Sequence, residues 1–161
     1  MLALLDAPQG ALVVDFGTGT GTYALALAKL RTDLHIVALD EQPEMLELLV
    51  AKPEIRTLAN VEPVGVDALP RLRERAERVL AINVLHEVGD AALGELRSLL
   101  APGGIAVFID WNADVERPVG PPRDHVYSSA DARLRVEAAE MRITGQRLFP
   151  YHYALVAVRE R

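Results

Sequence analysis

Between Asp15 and Tyr23 the chain reads Asp-Phe-Gly-Thr-Gly-Thr-Gly-Thr-Tyr, with Gly17, Gly19 and Gly21 at alternate positions behind an apolar run that ends in an acid. Glycine allows turns that other residues avoid, and it lets a ligand approach the backbone itself. A helix starting directly after such a turn presents unpaired N–H groups at the same place. Asp15 constrains what could bind there: its carboxylate repels a pyrophosphate and attracts a ligand carrying positive charge. The Gly-x-Gly-x-Gly spacing also brings the third glycine one residue earlier than in the Gly-x-Gly-x-x-Gly loop of dinucleotide-binding proteins.

Other polar residues close apolar runs further along. Asp40 ends the run His35 to Leu39, with Glu41 beside it. Asp67 and Ala68 follow Val61 to Val66, and Asn83 and His86 stand at the end of the run that starts at Val79. In an open α/β sheet the ligand lies at the carboxyl ends of the strands, which is where all of these residues fall. His86 titrates near neutrality when unperturbed, so it could position or deprotonate a nucleophile; a hydrogen-bonded structural histidine is the alternative. Asp67 has a second reading as a cap for the helix at Pro70. After the next run, Trp111, Arg123, His125 and Tyr127 offer rings and positive charge for an aromatic or anionic small molecule, unless their segment is only a proline-stiffened surface loop.

The elements that must position these residues alternate. Gly10 to Val14 reads as a buried strand, Thr22 to Leu30 as a helix, and His35 to Leu39 as a second strand. Met45, Leu48 and Leu49 recur at helical spacing between Pro43 and Pro53. Val61 to Val66 is a third strand, placed at an edge by Pro63. Arg71, Arg73, Arg75 and Arg78, interleaved with Glu74 and Glu77, read as an exposed helix. Val79 to Val84 and Ile105 to Asp110 are further strands, separated by a helix over Ala91 to Leu100 that stops at Ala101-Pro102-Gly103-Gly104. Ser129 is the expected cap of a helix over Ala130 to Glu140. Arg142 to Phe149 and Tyr153 to Val158 are joined by only three residues, which forces an antiparallel pair. The expectation is an α/β fold, a Rossmann-like three-layer sandwich whose mainly parallel seven-stranded sheet ends in a C-terminal antiparallel hairpin.

A length of 161 residues fits one domain, 1–161. No apolar run approaches the ~20 residues of a membrane span, and Met1 to Pro8 has no basic start of the kind that opens a secretory signal. The absence of Cys excludes disulfides and thiolate metal sites, and suits a cytoplasmic protein. A net charge of −6 argues against a long nucleic acid as partner. No compact His/Asp/Glu ligand set is visible, so no metal is expected.

The glycine loop with Asp15, the acid Asp40 after the second strand, and the closing hairpin resemble the class I S-adenosylmethionine-dependent methyltransferases over nearly the whole chain. Leu85-His86-Glu87-Val88 resembles their ubiquinone/menaquinone-biosynthesis-like branch, and Gly120-Pro121-Pro122-Arg123 resembles a loop of small family-11-type members. The resemblance implies S-adenosylmethionine as cofactor. It places the methionine part against Asp15, Gly17, Thr18, Gly19 and Asn83, the ribose hydroxyls on Asp40 near Glu41, and adenine at Asp67 and Ala68. It implies metal-independent methyl transfer to a small molecule, with His86 near the transferred methyl. Members usually carry a helix or two ahead of the first strand; only about ten residues precede it here, so a second copy closing the site as a homodimer is one expectation. Two rivals remain: a non-catalytic cofactor-binding or scaffold subunit, and an NAD(P)-dependent oxidoreductase, which lacks its own glycine spacing and a Tyr-x-x-x-Lys pair here.

Overall fold

Short apolar runs closed by polar residues become parallel strands buried on both faces, and the stretches between them become the helices that cover those faces. A computed structural model describes residues 1–160. In chain order the elements are α1 (Leu2–Leu5), β1 (Leu12–Phe16), α2 (Thr22–Leu30), β2 (His35–Leu39), α3 (Pro43–Val50), β3 (Val61–Val64), α4 (Leu69–Leu72), β4 (Ala76–Ile82), α5 (Asp90–Leu99), β5 (Leu100–Trp111), α6 (Ser129–Ala138), β6 (Met141–Leu148) and β7 (His152–Arg159). Seven strands form one sheet in the order β3-β2-β1-β4-β5-β7-β6. β3, β2, β1, β4 and β5 run parallel, while β7 pairs antiparallel with both β5 and β6. The closing hairpin and the edge position of the Pro63 strand are as the sequence predicts.

Strand alternation divides the apolar side chains into two cores. One holds Val14, Val79, Phe108, Tyr153 and Leu155 against Leu93, Leu96 and Leu99 of α5 and Ala132 and Val136 of α6. The other holds Val13, Ile36, Leu80 and Val107 against Leu5, Ala24, Leu25, Leu27 and Ala28 of α1 and α2, with Leu49 of α3. The strand order reverses beside β1: β2 lies on one side and β4 on the other, so the ends of β1, β2 and β4 open one crevice. Among the described residues no helix is long and apolar enough to cross a membrane.

Several expected boundaries move for identifiable reasons. β1 begins at Leu12, not Gly10, because Gly10 sits in a turn at φ +74°; Asp15 is therefore inside the strand. The segment 71–78 is not an exposed helix. α4 ends at Leu72 and Arg78 lies in β4, only 9% exposed. Its guanidinium donates to the carbonyls of Leu5 (2.6 Å), Asp6 (2.6 Å) and Glu77 (2.8 Å), capping the end of α1. The helix α6 is capped by Ser128 in place of Ser129, its hydroxyl oxygen accepting from the Asp131 N–H at 3.0 Å. Asp67 makes no cap bond either: the residue before α4 is Ala68, and Val66–Ala68 forms a short 3-10 turn.

Candidate active site

The glycine loop is held by the strand beside it. The N–H groups of Gly17 and Thr18 both donate to Leu39 O, each at 2.9 Å, so the end of β2 fixes the entry to the turn. Gly17, Gly19 and Gly21 all adopt positive φ, at +70°, +55° and +79°. Their reasons for being glycine differ. A Cβ on Gly17 would lie 2.7 Å from Val84 Cγ2, and one on Gly21 would strike Leu49. A Cβ on Gly19 would meet nothing within 4 Å, since that backbone faces open space. At Gly17, then, the crowding comes from the protein's own Val84, while Gly19 is the position whose bare backbone faces a ligand-sized opening.

That opening is a cavity of about 420 Å³ lined by Phe16, Gly17, Gly19, Leu39, Asp40, Glu41, Gln42, Met45, Val66, Leu69, Asn83, Val84, Glu87, Val88, Ala92 and Glu95. Its charged residues are Asp40, Glu41, Glu87 and Glu95, with no Lys or Arg in the wall. Asp40 accepts from Gly19 N at 2.7 Å through one oxygen and from Gln42 N at 2.9 Å through the other. A carboxylate has about four lone-pair sites, so capacity remains for ligand hydroxyls. Asn83 takes a left-handed conformation at φ +56°, with its N–H donating to Ile109 O at 2.8 Å. The Oδ1 of Asn83 is buried without a hydrogen-bond partner. An orphaned acceptor beside a bare glycine backbone fits a ligand that brings its own donors, as the ammonium of S-adenosylmethionine would.

Asp15 is 2% exposed and stands behind the cavity wall on the α2 side of the sheet, where the Thr18 hydroxyl donates to it at 2.7 Å. Burial pushes its carboxyl up to about 6, opposed by the hydrogen bonds from the Thr18 hydroxyl and the Ala24 backbone. Asp67 is exposed and Ala68 buried, and the wall at that point is formed by their neighbours Val66 and Leu69.

His86 follows β4, its side chain 7% exposed. Its Nδ1 is 2.7 Å from Oδ1 of Asp110, and its backbone N–H donates to Asp110 Oδ2 at 3.1 Å. Asp110 is fully buried at the end of β5, where its Oδ1 also accepts from Trp111 N at 2.7 Å. The Asp110 carboxylate raises the His86 pKa, against the effect of burial. The other imidazole nitrogen, Nε2, lies 3.7 Å from Oε1 of Glu87. Sequence reasoning does not single out Asp110, although the rule that selects Asp15 and Asp40, a polar residue closing an apolar run, applies to it equally.

The structure does not bring Trp111, Arg123, His125 and Tyr127 into the cavity wall. Trp111 packs on His152 with ring centroids 4.0 Å apart, and the Arg117 guanidinium lies 5.5 Å from its ring. Arg117 donates to Asn112 O at 3.2 Å and Pro121 O at 2.5 Å, so the proline-rich segment folds down on itself. Arg123 and His125 are exposed in a 3-10 turn, and Tyr127 packs beneath Arg135. Among the described residues no three His, Asp or Glu side chains gather as a metal site.

Residues 13–104 match the methyltransferase domain family. The chain is 36% identical over 102 residues to a ribosomal RNA small subunit methyltransferase G from Deinococcus deserti, covering 59% of this chain and 40% of the relative. It is 35% identical over 114 residues to a demethylmenaquinone methyltransferase from Thermus thermophilus, covering 68% and 50%. The chain thus spans half or less of the length of these two relatives. A crystal structure of a SAM-dependent methyltransferase from Aquifex aeolicus superimposes with a TM-score of 0.84 at 27% identity, over 94% of this chain and 83% of that one. With more than half the chain inside the family match and the glycine loop, Asp40 and Asn83 gathered around one cavity, the chain belongs to the class I S-adenosylmethionine-dependent methyltransferases.

Proposed function

We propose that the protein transfers a methyl group from S-adenosylmethionine to a small-molecule acceptor, without a metal. The observation that supports this most is the cavity itself: it has the volume of a small-ligand site, its wall carries four acids and no Lys or Arg, and the whole chain is acidic. An RNA acceptor would call for cationic side chains near the mouth. The cofactor supplies a methyl group on a positively charged sulfur. The residues bind and orient it: Gly17 and Gly19 offer backbone, Asn83 Oδ1 accepts from the ammonium, and Asp40, with Glu41 near it, accepts from the ribose hydroxyls. Asp67 and Ala68 border the adenine end, and Asp15 with Thr18 adds negative charge behind the loop. Methyl transfer by displacement depends chiefly on alignment and exclusion of water, with His86 placed to orient the acceptor or take its proton. Trp111, Arg123, His125 and Tyr127 serve the acceptor in this reading only if the segment over 112–127 rearranges toward the cavity when substrate binds.

The test is calorimetric titration with S-adenosylmethionine, S-adenosylhomocysteine and NADPH, followed by incubation with methyl-labelled S-adenosylmethionine and separate low-molecular-weight, RNA and protein fractions. Micromolar binding of the first two ligands and label in the small-molecule fraction are expected. Asp40→Ala is expected to weaken cofactor binding at least about tenfold, near 1.4 kcal/mol. Label confined to RNA or protein would replace the acceptor assignment, and NADPH binding would replace the cofactor.

A further inference from the structure

The sheet brings a fully buried carboxylate from the end of β5 against an imidazole from the end of β4, 24 residues earlier in the chain. A carboxylate that is only an acceptor requires a donor on the facing nitrogen, so Nδ1 of His86 carries hydrogen and the lone pair of the neutral ring is left on Nε2. Asp110 is itself held in place by two backbone donors, the N–H groups of His86 and Trp111. One oxygen faces Nδ1 and Trp111 N; the other faces His86 N. Neither ring flip nor carboxylate rotation is possible without losing a hydrogen bond in a site closed to water. On the far side of the ring, Nε2 stands beside Glu87, a residue of the cavity wall.

We infer that Asp110 is the positioning residue for His86, fixing the tautomer in which Nε2 accepts a proton from the methyl acceptor, and that the acceptor is therefore a protic group such as a hydroxyl or enol. This rests on the methyl-transfer reading above. In the step, the acceptor X–H gives its proton to Nε2, the electron pair on X forms the bond to the methyl carbon, and the carbon–sulfur bond breaks with its pair passing to sulfur. The proton remains on His86 as an imidazolium, whose charge Asp110 balances. The charged and titratable groups around the ring are Asp110 and Glu87, which favour the imidazolium, and Arg117, which opposes it. The same Asp110 and Arg117 act on His152. A purely structural pair would tie the β4–α5 connection to β5 equally well, but would give no reason for the tautomer to matter.

The experiment is an NMR titration of ¹⁵N-histidine-labelled protein with S-adenosylhomocysteine bound, comparing wild type with Asp110→Asn. In the wild type His86 is expected as the Nδ1–H tautomer when neutral, titrating above free imidazole. In Asp110→Asn one position of the side chain becomes a donor facing an N–H group, so the tautomer preference is lost and the pKa falls by about one pH unit or more. Methyl transfer from labelled S-adenosylmethionine into the small-molecule fraction is expected to fall about a hundredfold, with KM for S-adenosylmethionine within about twofold. An Nε2–H tautomer in the wild type overturns the inference, whether or not the variant folds, and so does an unchanged tautomer and pKa in a folded Asp110→Asn. His86→Ala separates the two levels. Loss of transfer there with full transfer in Asp110→Asn removes Asp110 alone, whereas full transfer in His86→Ala removes the proton-accepting role altogether.

Discussion

The two halves of the sheet build their polar sites by different means. On the β1–β2 side, main-chain geometry does the work: three glycines at positive φ, two N–H groups tied to Leu39 O, and an acid bonded to Gly19 N within a stretch of 25 residues. On the β4–β5 side the corresponding features are side chains that meet only through the sheet: His86 with Asp110, Trp111 with His152, Arg117 across the loop to Pro121. The first side is a cradle whose unused hydrogen-bonding capacity faces a cavity. The second is largely satisfied internally. This is why cofactor recognition can be carried by a short local pattern, while acceptor chemistry depends on pairs distant in sequence.

The largest effect that could break this contrast is expected at Gly21. A Cβ there meets Leu49, and the backbone is at φ +79°. Gly21→Ala therefore combines a left-handed alanine with overpacking and should cost about 2–4 kcal/mol, lowering the melting temperature by roughly 5–15 °C. Thermal unfolding followed by circular dichroism checks this. A melting temperature within about 2 °C of wild type would mean that the cradle is plastic and that its glycines are not fixed by packing.

A smaller effect concerns Asp15, whose carboxyl is held at about 6 against an ordinary 3.8. The folded state binds this proton more tightly than the unfolded chain, so stability is gained as pH falls and is lost as pH rises through about 6. At pH 7 the ionised group costs on the order of 2 kcal/mol, and Asp15→Asn should recover much of that in the ligand-free protein while gaining nothing near pH 4. Binding of the positively charged cofactor has the opposite preference, since it favours the carboxylate. Affinity for S-adenosylmethionine is therefore expected to fall below pH 6, by up to about tenfold per pH unit, and to flatten in Asp15→Asn. Calorimetry between pH 5 and 8 reads both; a wild-type affinity independent of pH would place Asp15 outside the cofactor's field and narrow the cradle to Gly19, Asp40 and Asn83.

How far each half is legible in the sequence follows from the same contrast. β2 runs from His35 to Leu39 as its apolar pattern predicts, and Asp40 closes it at the cavity wall. The antiparallel hairpin is legible because three residues cannot cross over a sheet. β1 is misread by two residues because the apolar run includes a glycine that the backbone uses as a turn, and an acid that the strand can bury once Thr18 donates to it. Arg78 is misread more seriously, since a row of alternating Arg and Glu looks solvent-exposed until α1 supplies two carbonyls from more than 70 residues away. The Asp110 pairing has the same origin: nothing near Asp110 in the chain marks it as the partner of a particular histidine. The expected grouping of Trp111, Arg123, His125 and Tyr127 joins residues that are close in sequence and that the fold separates, with Trp111 going to β7 and Tyr127 to α6.

The smallest expected effect tests whether the two halves are energetically separate. Arg117 holds the loop over Trp111 through two backbone carbonyls and its stacking on the indole, while its Nε is buried without a partner. Arg117→Ala removes those bonds and one unsatisfied donor together, so the net cost should be only about 1–2 kcal/mol, a fall of roughly 2–8 °C in melting temperature. Because none of these contacts reaches the cavity wall, affinity for S-adenosylhomocysteine should stay within about twofold of wild type, which corresponds to less than about 0.5 kcal/mol of coupling. The imidazole of His86, from which Arg117 repels a proton, should titrate higher in the variant. A tenfold loss of cofactor affinity would show instead that the loop's packing is transmitted through Trp111 and Asp110 into the cradle, making the internally satisfied half part of the cofactor site.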